Sequence, residues 1–243
     1  MAGPSRYGFA GGTGMATFVL IHGAYQGGWI WQRVAQRLTS AGHTVFAPTL
    51  DGCAERRHAL RPGITTETHG AEIAELLFFE DRRDVVLVGT STGGMVVCKA
   101  AELARERIGR LVFADALALL DGESLSDIVD RRTAVTTELA TGPSREDAAS
   151  RMFVSLDDAT KAWALERYTP HPVAAMEDRV KLPSFWEQKW PATVVWCRQA
   201  VNPGQAHQRR AADMLGASWH ELDTGHYPML TAVDELSRLI ASD

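Results

Sequence analysis

Val85-Val86-Leu87-Val88-Gly89-Thr90-Ser91-Thr92-Gly93-Gly94 is the stretch whose reading decides the fold. Val85 to Val88 is a short apolar, largely β-branched run, which predicts a strand. Met95 to Arg107, directly after it, reads as a helix. A serine between two glycines at a strand-to-helix junction has the form of a nucleophile elbow. The turn forces Ser91 into a strained backbone conformation, and only glycine-sized neighbours at 89 and 93 avoid a clash. The hydroxyl then stands clear at the top of a sheet. The backbone N–H of Thr92 opens the helix, where it can stabilise an oxyanion.

Working outward, Thr17–Ile21 and Thr44–Leu50 precede the elbow strand as apolar runs. Arg110–Ala116, Thr193–Cys197 and Ser218–Leu222 follow it. Helical patterns lie between them at Trp29–Leu38, Thr66–Glu80 and Ala206–Leu215, with a last helix at Val233–Ala241. Strands alternating with helices predict an α/β fold with a mostly parallel central sheet flanked by helices. Continuous apolar strands fit a sheet covered on both faces. Residues 117–190 break the alternation. Their segments Ser124–Leu139, Arg145–Val154 and Asp157–Arg167 look helical and charged, with no convincing strand. The expected organisation is a core of residues 15–116 and 191–243 with a helical cap, 117–190, over the site. Residues 1–14 are Gly-rich and lack an apolar h-region, so they read as a disordered leader or tag remnant rather than a signal peptide.

The chain has 243 residues, 45% of them hydrophobic, which suits one globular unit with a sizeable core. A net charge of −5 and the lack of a polybasic stretch argue against nucleic-acid or membrane-surface partners. Arg56-Arg57 and Arg131-Arg132 read as solvated or rim groups. No run reaches the roughly 18 apolar residues of a membrane span. The three cysteines, Cys53, Cys98 and Cys197, are odd in number and widely spaced, so neither a disulfide framework nor a zinc site is expected. A reducing cytoplasm fits them. Oligomeric state is left open, a homodimer included.

A serine hydroxyl needs a base at neutral pH. Of eight histidines, His226 in Asp223-Thr224-Gly225-His226-Tyr227-Pro228 follows the last strand and shares the sheet edge of Ser91. His58 and His69 fall in or beside an exposed loop and helix, His171 lies in the cap, and His207 and His220 read as surface positions. The second oxyanion donor should come from the loop after the first strand, His22-Gly23-Ala24. Ala24 N–H is the candidate, Gly23 permits the close approach, and the His22 ring is expected to hold the loop by bonding backbone. The acid is less direct. After Thr193–Cys197 stand Arg198-Gln199-Ala200-Val201-Asn202-Pro203, without a carboxylate. Asp115, ending the strand beyond the nucleophile strand, points into the same crevice. A charge there is costly to bury unpaired, and His226 is the natural partner. The alternatives are an Asp that pins backbone, or a Ser–His dyad oriented by Asn202 or water.

These stretches resemble the α/β-hydrolase superfamily. More narrowly, the chain resembles the branch that holds methyl-salicylate and methyl-jasmonate esterases, α-hydroxynitrile lyases and bacterial esterase-like relatives. The resemblance rests on Phe18-Val19-Leu20-Ile21-His22-Gly23-Ala24 with Gly27-Gly28-Trp29, on Gly52 with Glu55-Arg56, on Val86 to Met95, and on Gly225-His226-x-Pro228-Met229. It covers residues 16–116 and 192–240. It implies the α/β-hydrolase fold, Ser91 as nucleophile, His226 as base, and the Ala24 and Thr92 amides as oxyanion hole. The lyases resemble one another in a threonine at the Gly23 position and a lysine after the histidine. Gly23 and Tyr227 stand here, on the esterase side. The chain departs from the usual pattern in Thr90, where histidine is common, and in the missing late aspartate. Bacterial relatives often carry an aspartate at the Asp115 position. Cofactor-free dioxygenases on this fold resemble that His–Asp arrangement.

The expected activity is therefore hydrolysis of a small ester or lactone through an acyl-enzyme, with no metal and no organic cofactor. A lyase or cofactor-independent oxygenase, and a non-catalytic ligand-binding protein, are the competing functions. The substrate is expected to be a small apolar or aromatic molecule. Tyr25, Tyr227 and Trp163 are candidate contacts, with Phe153, Tyr168, Phe185 and Trp186 further aromatic residues of the cap.

Overall fold

The structure, a computed structural model, describes residues 14–130 and 134–242. The leader read at residues 1–14 therefore falls, but for Gly14, outside the described residues, as does the Arg131-Arg132 pair.

The first half of the chain runs β1 (Thr17–Ile21), α1 (Gln32–Ser40), β2 (Thr44–Phe46), α2 (Thr66–Phe79), β3 (Val85–Ser91), α3 (Gly93–Leu103) and β4 (Ile108–Ala116). The insertion that follows holds β5 (Ala134–Thr136), β6 (Ala140–Pro143), α4 (Arg145–Asp147), α5 (Asp158–Arg167), β7 (His171–Pro172) and α6 (Val173–Glu177). The chain then returns through β8 (Ala192–Cys197), α7 (Gln205–Leu215), β9 (Ser218–Leu222), α8 (Pro228–Thr231) and α9 (Val233–Ala241).

Six strands form one parallel sheet in the order β2-β1-β3-β4-β8-β9. Side chains alternate along each strand, and each alternation feeds a separate core. Val85 and Leu87 of β3 join one apolar cluster with Val19, Ile21, Leu111 and Phe113. Val86 and Val88 join the other with Phe18, Leu20, Val112 and Ala114. Helices α2 and α3 cover the first face through residues such as Ile73, Leu77 and Val97. Helices α1 and α9 cover the second through Val34, Leu38, Leu236 and Ile240. This is the α/β-hydrolase architecture, and all parallel strands deliver their carboxyl ends to one edge.

Local chemistry sets the helix ends. Thr65 and Thr68 form a reciprocal capping box at the start of α2. Gly216 ends α7 in left-handed backbone. β2 stops at Phe46, short of the expected Leu50, because the next residues bond elsewhere. Thr49 Oγ1 accepts from Gly28 N at 2.8 Å, and Leu50 N donates to the His22 ring at 3.0 Å.

The insertion differs from its expected all-helical form. β5, β6 and β7 make a three-stranded antiparallel sheet. The helix expected over Ser124–Leu139 is a single turn at Leu125–Asp127 followed by β5. The antiparallel β5–β6 ladder, with Val135 opposite Gly142, pairs this backbone instead, and a Thr136–Thr141 hydroxyl pair at 2.8 Å crosses it. Among the described residues no helix is long and apolar enough to cross a membrane.

Candidate active site

The carboxyl edge of the sheet brings the sequence-selected residues together. Ser91 ends β3 with φ 51, the left-handed region that a non-glycine residue enters only under constraint. The constraint is close packing below it. A methyl at Gly89 would lie 2.8 Å from the backbone of Gly93, and one at Gly93 would lie 2.6 Å from the carbonyl oxygens of Ile21 and His22. Helix α3 therefore seats directly on the end of β1. Gly23 closes the other side, where a methyl would come within 2.6 Å of Ser91 Cβ.

The His22 ring holds the loop after β1. Nδ1–H donates to Gly23 O at 2.8 Å, and Nε2 accepts from Leu50 N at 3.0 Å. Complete burial pushes this imidazole down to about 4, so it stays neutral as an acceptor. Gln26 adds a second brace that sequence reasoning missed. It is buried, its Oε1 accepts from Gly23 N at 3.2 Å, and its side chain hydrogen-bonds the Tyr227 phenol. The Gly23 amide is thus engaged within the loop, while Ala24 and Thr92 border the cavity beside Ser91. Burial pushes the Tyr227 phenol up, keeping it neutral.

Asp115 is the buried carboxyl of the site, fully inaccessible to solvent. It too has left-handed backbone, φ 48. The β3–β4 register slips here: Thr90 pairs with Ala114 and Ser91 with Ala116, leaving Asp115 as a bulge. The bulge turns its side chain out of the ladder. Oδ2 meets His226 Nδ1 at 2.5 Å. Oδ1 accepts from Cys197 N at 3.2 Å and from Gln208 Nε2 at 2.8 Å. His226 Nδ1 therefore faces Asp115 and not Asn202, which lines the cavity elsewhere.

A cavity of about 440 Å³ opens between the sheet edge and the insertion. Ala24, Tyr25, Ser91, Thr92, His226 and Tyr227 form its floor. The insertion contributes mostly aliphatic walls, including Leu125, Val129, Met152, Val154 and Met176. Trp163, expected as a contact, lies elsewhere: its ring packs edge-on against Trp29 at 5.1 Å, under the Arg167 guanidinium. The other insertion aromatics also pack rather than line. Phe153 sits on Tyr227, Phe185 stacks on Trp190, and Tyr168 donates to Pro143 O at 2.6 Å. Such rings fill gaps between elements, which composition does not distinguish from pocket walls.

Two histidines differ from their expected surface placement. His69 is buried, and its Nε2–H donates to Asp51 O at 2.9 Å. His207 is also buried, accepts from Ala118 N at 3.1 Å, and is pushed down by burial to about 4. Both tie loops at the sheet edge to helices, a task that helical periodicity alone does not reveal.

Comparison with known proteins agrees with this geometry. The sequence profile of the α/β-hydrolase family matches residues 18–239. A carbendazim-hydrolysing esterase from Nocardioides sp. (strain SG-4G) is 39% identical over 117 residues, 48% of each chain. An α-hydroxynitrile lyase of Arabidopsis thaliana is 35% identical over 100 residues, 41% of this chain and 39% of the lyase. The matched region thus spans about half or less of these curated relatives. In structure, the chain resembles an extracellular α/β-hydrolase from a Paenibacillus species, described as sharing structural and functional homology with tobacco salicylic acid binding protein 2. The TM-score is 0.79 at 22% identity, covering 93% of this chain and 97% of the other. The family profile spans nearly all of the fold that carries Ser91, Asp115 and His226, so the chain belongs to the α/β-hydrolase family.

Proposed function

We propose that the protein is a serine hydrolase that cleaves a small carboxylic ester or lactone through an acyl-enzyme. The observation that carries this is the 2.5 Å His226–Asp115 pair, placed on the same cavity as a left-handed Ser91 at the end of β3. The esterase among the relatives supports the reaction class.

In this reading a substrate carbonyl settles over Ser91, between the amides of Ala24 and Thr92. His226 Nε2 takes the Ser91 proton as Oγ attacks. Asp115 holds the Nδ1–H tautomer and stabilises the imidazolium as it forms. The two amides hold the developing oxyanion, where loss of one such donor costs about 3 to 4 kcal/mol. His226 then protonates the leaving alcohol and activates the water that hydrolyses the acyl-enzyme. The aliphatic part of the wall, Leu125, Val129, Met152, Val154 and Met176, favours an apolar acyl or alcohol group, while Asp130, Asp147 and Arg151 line the same cavity. Residues 117–190 act as the cap that excludes water.

A second reading keeps the His226–Asp115 pair as a base that abstracts a substrate proton, with Ser91 as a binding group, as in a lyase or cofactor-independent oxygenase. A fluorophosphonate probe separates the two. Stoichiometric labelling at Ser91, lost in Ser91→Ala, together with turnover of short aryl esters, supports the hydrolase. A folded protein that neither labels nor turns over esters overturns it and leaves proton abstraction or a binding role.

A further inference from the structure

Asp115 occupies an expensive position. A carboxylate with no solvent contact needs its oxygens filled by donors. His226 takes Oδ2, and the Cys197 amide and the Gln208 side chain share Oδ1. Gln208 is itself 1% exposed, on the inward face of α7. Its Nε2 gives one proton to Asp115 Oδ1 and the other to Pro203 O, at 2.8 and 2.9 Å. Both partners are acceptors, so the amide orientation is fixed: nitrogen toward Asp115, oxygen away. That oxygen, Oε1, is buried with no partner among the described residues. An amide that leaves its own acceptor unpaired while spending both donors is held there for its donors.

We infer that Gln208 is a positioning residue that locks the Asp115 carboxylate, through Oδ1, in the rotamer and charge state that present Oδ2 to His226. The inference rests on the hydrolase reading for its catalytic consequence, but not for its geometry. It also accounts for an acid at the end of β4. The end of β8 supplies instead the Cys197 amide, and the carboxylate-free loop after it supplies, through Pro203 O, the anchor for Gln208. Together with α7, this loop forms the cradle for an acid carried by the neighbouring strand.

The other groups facing the pair do not compete with it. The Cys197 thiol at the end of β8 is pushed up by burial and by the nearby Asp115, and the Tyr227 phenol is pushed up by burial. Both stay neutral through the physiological range. Removing the Gln208 donor concentrates the Asp115 charge on His226 and favours the imidazolium.

The test uses the whole chain with Gln208→Met, which keeps volume and removes both donors, and Gln208→Asn, which withdraws the amide by one methylene. Two readouts are taken: the pH titration of His226 by NMR, assigned with Asp115→Asn, and the pH profile of kcat/KM on p-nitrophenyl acetate. In both variants the His226 midpoint and the acid limb of the profile move upward by about half a unit or more. In Gln208→Met kcat falls about tenfold at little change in KM, as expected for loss of a charge-assisted hydrogen bond. If Gln208→Met does not fold, Gln208→Asn carries the same comparison. A His226 midpoint and acid limb both unmoved, with only thermal stability or KM altered, overturn the inference and leave Gln208 a packing residue. A shifted His226 midpoint in a protein that cleaves no ester supports the positioning role and tells against the hydrolase reading alone.

Discussion

Ser91 and Asp115 stand in left-handed backbone at the ends of adjacent parallel strands, whereas the residues that face them across the cavity come from short helices and a small antiparallel sheet. The sheet end is crowded with backbone-to-backbone packing and buried hydrogen bonds: Gly93 on β1, Gly23 on Ser91, His22 and Gln26 across the first loop. The insertion offers aliphatic side chains such as Leu125, Val129, Val154 and Met176, with Asp130, Asp147, Arg151 and Ser155 among them, carried on short elements and loops. The contrast teaches where precision is located. Ser91 and Asp115 sit on strands buried on both faces, whose positions the two cores over-determine, and in the proposed reading substrate shape is left to the insertion.

The largest expected effect lies on the sheet side. Ser91→Ala should lower ester turnover about 10⁵-fold with an unchanged circular dichroism spectrum. Asp115→Asn should cost about 10⁴-fold in kcat through the wrong imidazole tautomer. Equal, small losses in both variants would break the contrast, because the sheet end would then not be where the chemistry is held.

Stability carries the next effect. His22 and His207 are both neutral and buried, pushed down to about 4 from an ordinary value near 6.5. Between those values the unfolded chain binds protons that the folded chain does not. Stability is therefore lost as pH falls from about 6.5 to 4, by about 3 kcal/mol for each histidine. Urea unfolding at pH 7 and pH 4.5 measures this. His207→Gln, which keeps an acceptor for Ala118 N–H, should flatten part of the slope.

A smaller change probes the contact between the first loop and Ser91. Gly23→Ala places a methyl against Ser91 Cβ and should reduce kcat about 100-fold by moving the loop that carries Ala24. The insertion should respond least. Val154→Ala, at the exposed mouth, should raise KM a few-fold at constant kcat for an apolar ester. Trp163→Ala should instead lower the melting temperature with KM unchanged, since its ring packs on Trp29 rather than on the cavity. A Trp163 variant that alters KM would blur the division between walls and packing.

Much of the sheet side was legible because its signals are local. The apolar run before Gly89, the glycines around Ser91, and His226 after the last strand each signal their place in the fold within a few residues. Asp115 was legible by elimination, as a charge ending an apolar strand that must find a partner. The insertion was not, because short strands such as Ala140–Pro143 and His171–Pro172 have no period long enough to separate them from loop. Its aromatic residues misled for a related reason: composition records that a ring is present, not which surface it covers.

By itself the sequence determined the alternation of strand and helix and placed Ser91 and His226 at one sheet edge with Asp115 as the candidate acid, because these follow from hydrophobic period and turn chemistry. The structure decided that His226 Nδ1 meets Asp115. Only the tertiary structure decided which loops those side chains lean on. Gln26, Gln208, His69 and His207 read as ordinary polar residues in a one-dimensional pattern. They become buried braces because helices and loops distant in sequence converge on the sheet edge, where each unpaired backbone or carboxylate group must find a donor or acceptor.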